Sequence, residues 1–325
     1  MKYLLRHIGL YILTAWASLT LNFLLPRTMP GDPVTALIGR MHGKFSPQQI
    51  EALKAAFGFT NAPVLEQYFQ YIGHVFQGDF GLSISAYPAK VSTIISSALN
   101  WTLLLGIVTL VLSFLIGTVL GVIVAWRRGG ILDSVLPGLF NFIGSFPYFF
   151  LAMLALFVMG FILKWFPMAH AYSDDVSPGW SWDYIGSVVT HLILPAGTVI
   201  LVSVGGWLIG MRSTMISVLA EDYIVMAEAK GLPQWRVMFQ YAMRNAILPN
   251  FTQFGMSIGF ILGGLILTEL VFSYPGLGFY LVRSVVTHDY PLMQALFLLI
   301  TLAVLGANLI VDLLYVRLDP RVRVS

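Results

Sequence analysis

The stretch WTLLLGIVTLVLSFLIGTVLGVIVAW, from Trp101 to Trp126, contains no charged side chain and few polar ones. A transmembrane helix needs about 20 mostly apolar residues, since each residue advances the helix by roughly 1.5 Å through about 30 Å of hydrocarbon. Tryptophan is enriched where a membrane helix enters and leaves the bilayer, and one stands at each end of this stretch. The stretch therefore predicts a membrane-spanning helix.

The composition of the whole chain is also that of a membrane protein. Only 10% of the 325 residues are charged and 58% are hydrophobic, whereas roughly 25% of the residues in a soluble domain are charged. The mean hydropathy of +0.82 implies more apolar surface than a soluble fold could bury. A net charge of +3 is too small to indicate nucleic acid as a partner. Because the chain has no cysteine, disulfides and thiolate chemistry are excluded.

Six stretches are apolar and long enough to span a bilayer. They are residues 8–25, 101–126, 135–163, 192–211, 251–272 and 292–316. Pro147 should split or kink the third, because proline removes a backbone hydrogen bond. A cleaved signal peptide is not favoured at the first, because its apolar run continues well past Ala15 and Ala17 to Leu25. The sequence thus predicts an all-α, polytopic membrane protein with six transmembrane helices.

The distribution of charge predicts the orientation. Most of the 18 basic residues lie at one set of span ends and loops, and positively charged loops face the cytoplasm. Both termini are then cytoplasmic. The chain divides into a first helix at 1–25, an extracytoplasmic segment at 26–100 and a membrane domain at 101–325. In the extracytoplasmic segment we expect turns at 30–33 and 78–81, and a helix from Ser46-Pro47 to Ala56.

The cytoplasmic loop at 212–249 has the pattern of two amphipathic helices joined by a tight turn. The apolar face of the first consists of Met215, Leu219, Tyr223 and Met226. The apolar face of the second consists of Trp235, Met238, Phe239, Ala242 and Ala246. Gly231 can adopt the left-handed conformation that ends a helix, Pro233 suits the start of the next, and Pro249 should end it. Periodicity alone leaves two interpretations open, a pair lying on lipid and a docking surface for a cytoplasmic partner.

Several short motifs together resemble one protein family. In the cytoplasmic loop they are Asp222-Tyr223, Ala227-Glu228-Ala229-Lys230-Gly231 and Arg244-Asn245-Ala246-Ile247-Leu248-Pro249. Elsewhere they include the segments at 78–83, 191–195, 272–278, 289–291, 312–315 and 318–321. In this order they resemble the permease subunits of binding-protein-dependent ABC importers, in the dipeptide and oligopeptide branch. Counted from Gly231, the general importer signature would place Glu at Val225 and Pro at Arg244, so this chain departs from it there.

The resemblance implies a type I importer fold in a prokaryotic cytoplasmic membrane. It also implies a second homologous permease, two cytoplasmic ATPase subunits that bind ATP and Mg²⁺, and an extracytoplasmic substrate-binding protein. The residues it assigns to ATPase coupling are Asp222, Tyr223, Ala227, Glu228, Ala229, Lys230, Gly231, Leu232, Arg236, Arg244 and Asn245. Those it assigns to binding-protein contact are Asp79, Phe80, Tyr274, Pro275 and Gly276. The implied cargo is short peptides, with oligosaccharides or nickel chelates as alternatives.

The sequence carries no motif for catalysis or metal binding. It has no G-x-x-x-x-G-K-[ST] phosphate loop, so we expect no cofactor on this chain and ATP hydrolysis on partner subunits. Its six histidines are scattered, without the spacing of a metal site. A secondary transporter is an alternative class, but it needs its own coupling-ion site and often a repeated half, and neither is visible.

Polar residues within the predicted spans are candidates for the translocation path. They are Ser257, Thr268, Glu269, Asn308 and Asp312. Simpler explanations compete with this role. A hydroxyl often bonds to the backbone of its own helix, and Glu269 and Asp312 are close enough to the ends of their spans to reach the membrane interface.

Overall fold

The computed structural model describes residues 2–28, 48, 62–259 and 261–318. Across these residues the regular elements are helices, with one isolated β-bridge between Leu82 and Lys90. The predicted all-α class is therefore confirmed for the described part of the chain. The turn predicted at 30–33 lies outside the described residues, as does the helix predicted from Ser46-Pro47 to Ala56 except for residue 48.

The described helices are numbered here in chain order. The first five are α1 (Lys2–Thr28), α2 (Val64–Gln77), α3 (Val91–Trp126), α4 (Ile131–Gly144) and α5 (Tyr148–Ala155), which continues as a π-helical segment, Leu156–Ile162. Next come α6 (Trp182–Leu219), α7 (Asp222–Ala229) and α8 (Gln234–Arg236), which a second π-helical segment, Val237–Met243, joins to α9 (Arg244–Ile258). The last four are α10 (Ile261–Gly264), α11 (Ile266–Val271), α12 (Leu277–Val286) and α13 (Tyr290–Leu318).

Among the described residues, three helices are long and apolar enough to cross a bilayer, namely α3, α6 and α13. A fourth candidate is the pair of α4 and α5 with its π-helical extension, which is bent by 91°. Pro147 immediately precedes α5. Proline has no N–H to donate to a helical hydrogen bond, and it restricts the backbone of the preceding residue, Phe146, to extended conformations. A continuous helix is therefore prevented, and the predicted break is confirmed. The chain is a polytopic membrane protein.

The helices differ in extent from the predicted spans. α3 begins at Val91 rather than at 101, and α6 begins at Trp182 rather than at 192. The predicted fifth span, 251–272, is not one helix, because it divides among α9, α10 and α11. Gly259, Gly263 and Gly264 fall in this stretch, and each glycine weakens a helix by roughly 1 kcal/mol relative to alanine. Hydropathy could not locate these breaks, because it does not measure backbone freedom.

Contacts within the chain define two compact units. The first comprises Met1–Thr102, Leu262–Ile266 and Pro275–Ser325, and the second comprises Leu103–Ile261 and Leu267–Tyr274. In the first unit, α1 packs against α13, and a buried apolar cluster joins the start of α3 to α12 and α13. The cluster contains Val91, Ile95, Ala98, Leu277, Leu281, Leu292, Ala295 and Leu296.

In the second unit, α3 and α6 cross closely at two glycines. A Cβ atom at Gly117 would lie 2.7 Å from the carbonyl oxygen of Val204, and one at Gly121 would lie 2.6 Å from that of Leu208. Real Cβ atoms essentially never approach so closely. Gly117 and Gly121 form a G-x-x-x-G pattern, which lets membrane helices approach each other. The pattern is present in the sequence, but only the structure identifies α6 as its partner.

Candidate functional site

The segment from α7 into the start of α9, residues 222–249 and here called the helix pair, packs its inner face against the adjoining ends of α3 and α6. The buried apolar cluster that joins them contains Val122, Ala125, Met211, Met215, Ile224, Ala227, Val237, Ala242 and Ala246. The contribution of α7 is made by Ile224 and Ala227, whose exposed fractions are 2% and 3%. α7 is therefore attached to two membrane helices rather than lying free at their ends.

The predicted apolar face of the first helix is wrong. α6 ends at Leu219, and Ala220 and Glu221 separate it from α7. Met215 is fully buried in α6, whereas Met226 on α7 is 65% exposed. The periodicity assumed one unbroken helix, and a break of two residues turns a different face of the following helix toward the core.

The tight turn predicted at Gly231 is present and closes α7. Gly231 has a φ of +73°, in the left-handed region. Its N–H donates to the Glu228 carbonyl at 2.8 Å, and the Leu232 N–H donates to the Ala227 carbonyl at 3.4 Å. These two bonds satisfy carbonyl groups that the end of a helix leaves unpaired. Pro233 then precedes α8, so the turn fixes where the second helix begins.

Pro249 does not end the second helix, contrary to the prediction. It lies inside α9, which runs from Arg244 to Ile258. Proline removes one helical hydrogen bond, but helices in membranes tolerate it where neighbouring groups compensate. The helix pair therefore continues into the stretch predicted as the fifth span.

Most of the residues assigned to ATPase coupling are on the exposed face of the helix pair. The exposed ones are Asp222, Tyr223, Glu228, Ala229, Lys230, Gly231, Arg236, Arg244 and Asn245. Leu232 is half-buried and Ala227 is buried, so Ala227 packs α7 onto the membrane helices and offers a partner no surface. Three large side chains outside that assignment, Val225, Met226 and Trp235, are 60%, 65% and 55% exposed. Apolar side chains exposed among charged ones are typical of an interaction surface.

A hydrogen bond ties α7 to α9 on this face. The Asn245 Nδ2 donates to the Tyr223 hydroxyl at 2.8 Å and to the Tyr241 carbonyl at 3.3 Å. Both Tyr223 and Asn245 are exposed, so water competes with the bond and its net contribution is about 0.5–1.5 kcal/mol.

For Tyr223→Phe we expect a moderate loss of transport with an unchanged amount of protein in the membrane. The substitution removes the hydroxyl but keeps the ring, so the tie loosens while the packing remains. Because 1.4 kcal/mol corresponds to a factor of ten, the initial uptake rate should fall by less than about tenfold. Tyr241→Phe is the matched control, since Tyr241 contributes only its carbonyl to the bond. Equal uptake by the two variants would contradict this role for Tyr223.

Within the second unit, an ion pair connects α4 to α6 near the helix pair. The Arg212 Nε, near the end of α6, donates to Asp133 Oδ1 at 2.5 Å. The Gly129 N–H donates to the second oxygen of the same carboxylate at 2.9 Å. Asp133 lies in the first turn of α4, so the pair links α4 to α6. Sequence reasoning did not find it, because 79 residues separate the partners.

A buried carboxylate joins two of the sequence motifs in the first unit. Asp289 is fully buried, and one of its oxygens accepts hydrogen bonds from the Ser83 hydroxyl, the Ser85 hydroxyl and the Ser85 N–H at 2.5, 2.7 and 2.9 Å. Its other oxygen accepts from the Leu292 N–H at 3.3 Å, in the manner of a helix cap. Asp289 thus holds the segment after residue 81 against the start of α13.

For Asp289→Asn we expect the segment at 82–90 to loosen. An amide has one acceptor oxygen where the carboxylate has two, so buried donors lose partners at a cost of about 1–3 kcal/mol. Hydrogen exchange followed by mass spectrometry should show faster exchange at Ser85. The control is Asp79→Asn, because the Asp79 side chain is 66% exposed. Unchanged exchange at Ser85 in Asp289→Asn would contradict the assignment.

The residues assigned to binding-protein contact are not equally accessible. The Asp79 side chain is exposed, and Phe80 is partly buried against the apolar cluster of the first unit. Pro275 is half-buried, whereas Tyr274 and Gly276 are buried. Tyr274 and Gly276 are thus covered by their own chain, and of the five assigned residues Asp79 is the exposed one.

The polar residues assigned to the translocation path have local partners or are buried. The Ser257 hydroxyl donates to the Gln253 carbonyl of its own helix at 2.9 Å. Thr268 and Glu269 are 0% and 1% exposed, so the chain itself encloses both side chains. Asn308 is half-buried, and the side chain of Asp312 lies outside the described residues. Within the described part of the chain, no three potential metal ligands converge.

The long apolar helices define a polytopic membrane protein, and the helix pair carries many exposed charged side chains. Residues 117–324 match the family described as binding-protein-dependent transport system inner membrane component. Because this match covers most of the chain, the protein belongs to that family, in its dipeptide and oligopeptide branch, which confirms the resemblance found in the motifs. The family is one of transport components rather than enzymes.

Full-length relatives include two dipeptide permeases and an oligopeptide permease. The chain is 33% identical over 326 residues to the dipeptide transport system permease protein DppB of Lactococcus lactis subsp. cremoris (strain MG1363), with 99% of each chain covered. It is 35% identical over 344 residues to DppB of Escherichia coli (strain K12), again with 99% of each covered. It is 35% identical over 303 residues to the oligopeptide transport system permease protein AppB of Bacillus subtilis (strain 168), with 93% of each covered.

Proposed function

We propose that this chain is the permease subunit of an ABC importer for short peptides. The observation that carries the proposal is identity of 33–35% along nearly the whole chain with permeases named for dipeptide or oligopeptide transport. Oligosaccharides and nickel chelates are the alternative cargoes, and the names of these relatives favour peptides over both.

In the proposed topology the chain crosses the membrane six times, with both termini in the cytoplasm. The crossings are α1, α3, the bent pair of α4 and α5, α6, the stretch from α9 to α11, and α13. The excess of basic residues on one side of this arrangement supports the orientation. The helix pair and the Asp133–Arg212 ion pair then lie at the cytoplasmic face, and the segment held by Asp289 lies at the outer face.

In the proposed mechanism the helix pair receives the movement of the ATPase subunits. Two such subunits bind ATP and Mg²⁺ and hydrolyse the ATP, and a second homologous permease completes a heterodimeric membrane part. Val225, Met226 and the charged residues around them lie in a groove of the ATPase. Since Ile224 and Ala227 are packed against α3 and α6, closure of the ATPase dimer moves these membrane helices with α7. The extracytoplasmic binding protein delivers the cargo at the outer face, where Asp79 is exposed.

The test is reconstitution of the chain with its genomic neighbours in lipid vesicles. We expect uptake of labelled dipeptides and tripeptides that requires ATP, the ATPase subunits and the binding protein. Labelled oligosaccharide and nickel chelate, supplied under the same conditions, should accumulate little. Uptake by the chain alone that a proton or sodium ionophore abolishes would overturn the proposal and support a secondary transporter.

A further inference from the structure

α2 has more apolar surface than the described chain covers. Its polar residues lie along one side of the helix and are Glu66, Gln67, Gln70, His74 and Gln77. The opposite side is apolar or aromatic, yet no residue of α2 is fully buried. Leu65, Phe69 and Phe76 are 68%, 64% and 82% exposed. Together with Ile72 they are spaced four, three and four residues apart, so they form one line along the helix, here called the α2 stripe.

α2 is attached to the last turns of α1 by a different edge. The Tyr68 hydroxyl is 2.8 Å from the Thr20 hydroxyl, and the Tyr68 ring packs edge-on against Phe23 with the ring centres 5.1 Å apart. The Arg27 Nη2 donates to the Gln67 Oε1 at 2.6 Å. Thr20, Phe23 and Arg27 are at the end of α1 that the proposed topology places at the outer membrane surface. This attachment holds α2 at that level, and the described residues leave the α2 stripe uncovered.

The apolar surface of α1 adjoins this attachment. Leu21, Leu24 and Leu25 are 61%, 43% and 44% exposed, and they alternate along α1 with the residues that contact α2. A helix that spans the bilayer exposes such side chains to lipid. The α2 stripe carries no charged side chain, so it extends this lipid-facing surface without a costly polar interruption.

We propose that α2 lies in the outer interface of the membrane, with the α2 stripe in the lipid and its polar side in water. The polar side has no Lys or Arg, so apolar burial rather than attraction to anionic lipid holds it there. The inference rests on the proposed topology of α1 and does not depend on which cargo is transported. If α2 lies in the interface, it holds the extracytoplasmic segment at the membrane surface.

Spin labels on single cysteines test the proposal, and the chain has no native cysteine to remove. The variants are Phe69→Cys and Phe76→Cys on the α2 stripe, Gln70→Cys and Gln77→Cys on the polar side, and Leu13→Cys on α1. Each is studied in the assembled importer in phosphatidylcholine vesicles. Collision of the label with oxygen, which concentrates in lipid, is compared with collision with a water-soluble nickel chelate.

We expect the labels at 69 and 76 to collide mainly with oxygen and those at 70 and 77 mainly with the nickel chelate. High nickel accessibility at all four positions would mean that α2 is in water and would overturn the proposal. Low accessibility to both reagents at 69 and 76 would mean that protein covers the stripe, which would also overturn it. The label at 13 tests the proposed topology separately from the position of α2. If it did not collide mainly with oxygen, α1 would not span the membrane as proposed.

Discussion

Gly231→Val should insert into the membrane and assemble, yet lose uptake by about tenfold or more. Gly231 has a φ of +73°, and a β-branched residue is a conformational outlier there. Left-handed backbone costs roughly 1–2 kcal/mol for residues with a Cβ atom, and 1.4 kcal/mol corresponds to a factor of ten. Apart from its two chain neighbours, no described residue places an atom within 4 Å of where the Cβ would be, so the effect comes from the backbone of the turn and not from a clash.

The measurement is peptide uptake and ATP hydrolysis in vesicles that contain equal amounts of assembled importer. We expect uptake to be lost while ATP hydrolysis continues without control by the cargo-loaded binding protein. This combination would show that hydrolysis is no longer coupled to transport. Gly231→Asn is the matched control, because asparagine enters the left-handed region more readily than other residues with a side chain. It should retain most of the activity. Normal uptake and normally stimulated ATP hydrolysis in Gly231→Val would show that the helix pair does not couple the two processes.

Gly121→Val should prevent most of the chain from reaching a folded state. The first side-chain atom would lie 2.6 Å from the Leu208 carbonyl oxygen and 2.7 Å from the Met211 Cβ. Neither is the far end of a flexible side chain, so α3 and α6 must separate along their crossing. Overpacking in a core costs typically 1–3 kcal/mol and occasionally more, and the loss of the close contact adds to it.

The measurement is the yield of monodisperse protein after detergent extraction, together with its thermal midpoint. Gly206→Val is the matched control, because Gly206 is also inside a long apolar helix but is exposed. Beyond its own turn of helix, no described atom lies within 4 Å of its Cβ position. The two substitutions carry the same helix-propensity cost, so their difference isolates the crossing. Equal yields and midpoints would show that α3 and α6 do not meet at Gly121.

Features that depend on a few adjacent residues could be predicted from the sequence. The break at Pro147 and the left-handed turn at Gly231 each follow from the backbone chemistry of one residue. Errors arose where one local signal was extended too far. A single helical period does not extend across the break at Ala220 and Glu221. Pro249 does not end its helix, because a neighbouring packed structure can compensate for one missing hydrogen bond.

Contacts between distant residues could not be predicted in the same way. Nothing near Asp289 indicates that its carboxylate will meet Ser83 and Ser85, and nothing near Arg212 indicates Asp133. Burial of Glu269 likewise depends on which helices surround it, whereas distance along a span gives only its depth. The exposure of most charged residues on the helix pair could be predicted, because charged side chains stay in water. Ala227 shows that a residue inside a motif can nevertheless face the core.

The two faces of α7 are under different constraints. Its inner residues, Ile224 and Ala227, fit a close-packed cluster in which a change of one methylene group is felt. Its outer residues Val225 and Met226 are 60% and 65% exposed, so the described part of the chain constrains their shape much less. If the ATPase docks on this outer face as proposed, a change of ATPase partner could be accommodated by exchanging the outer residues alone. The packing of α7 against α3 and α6, which would transmit its movement to them, would stay the same.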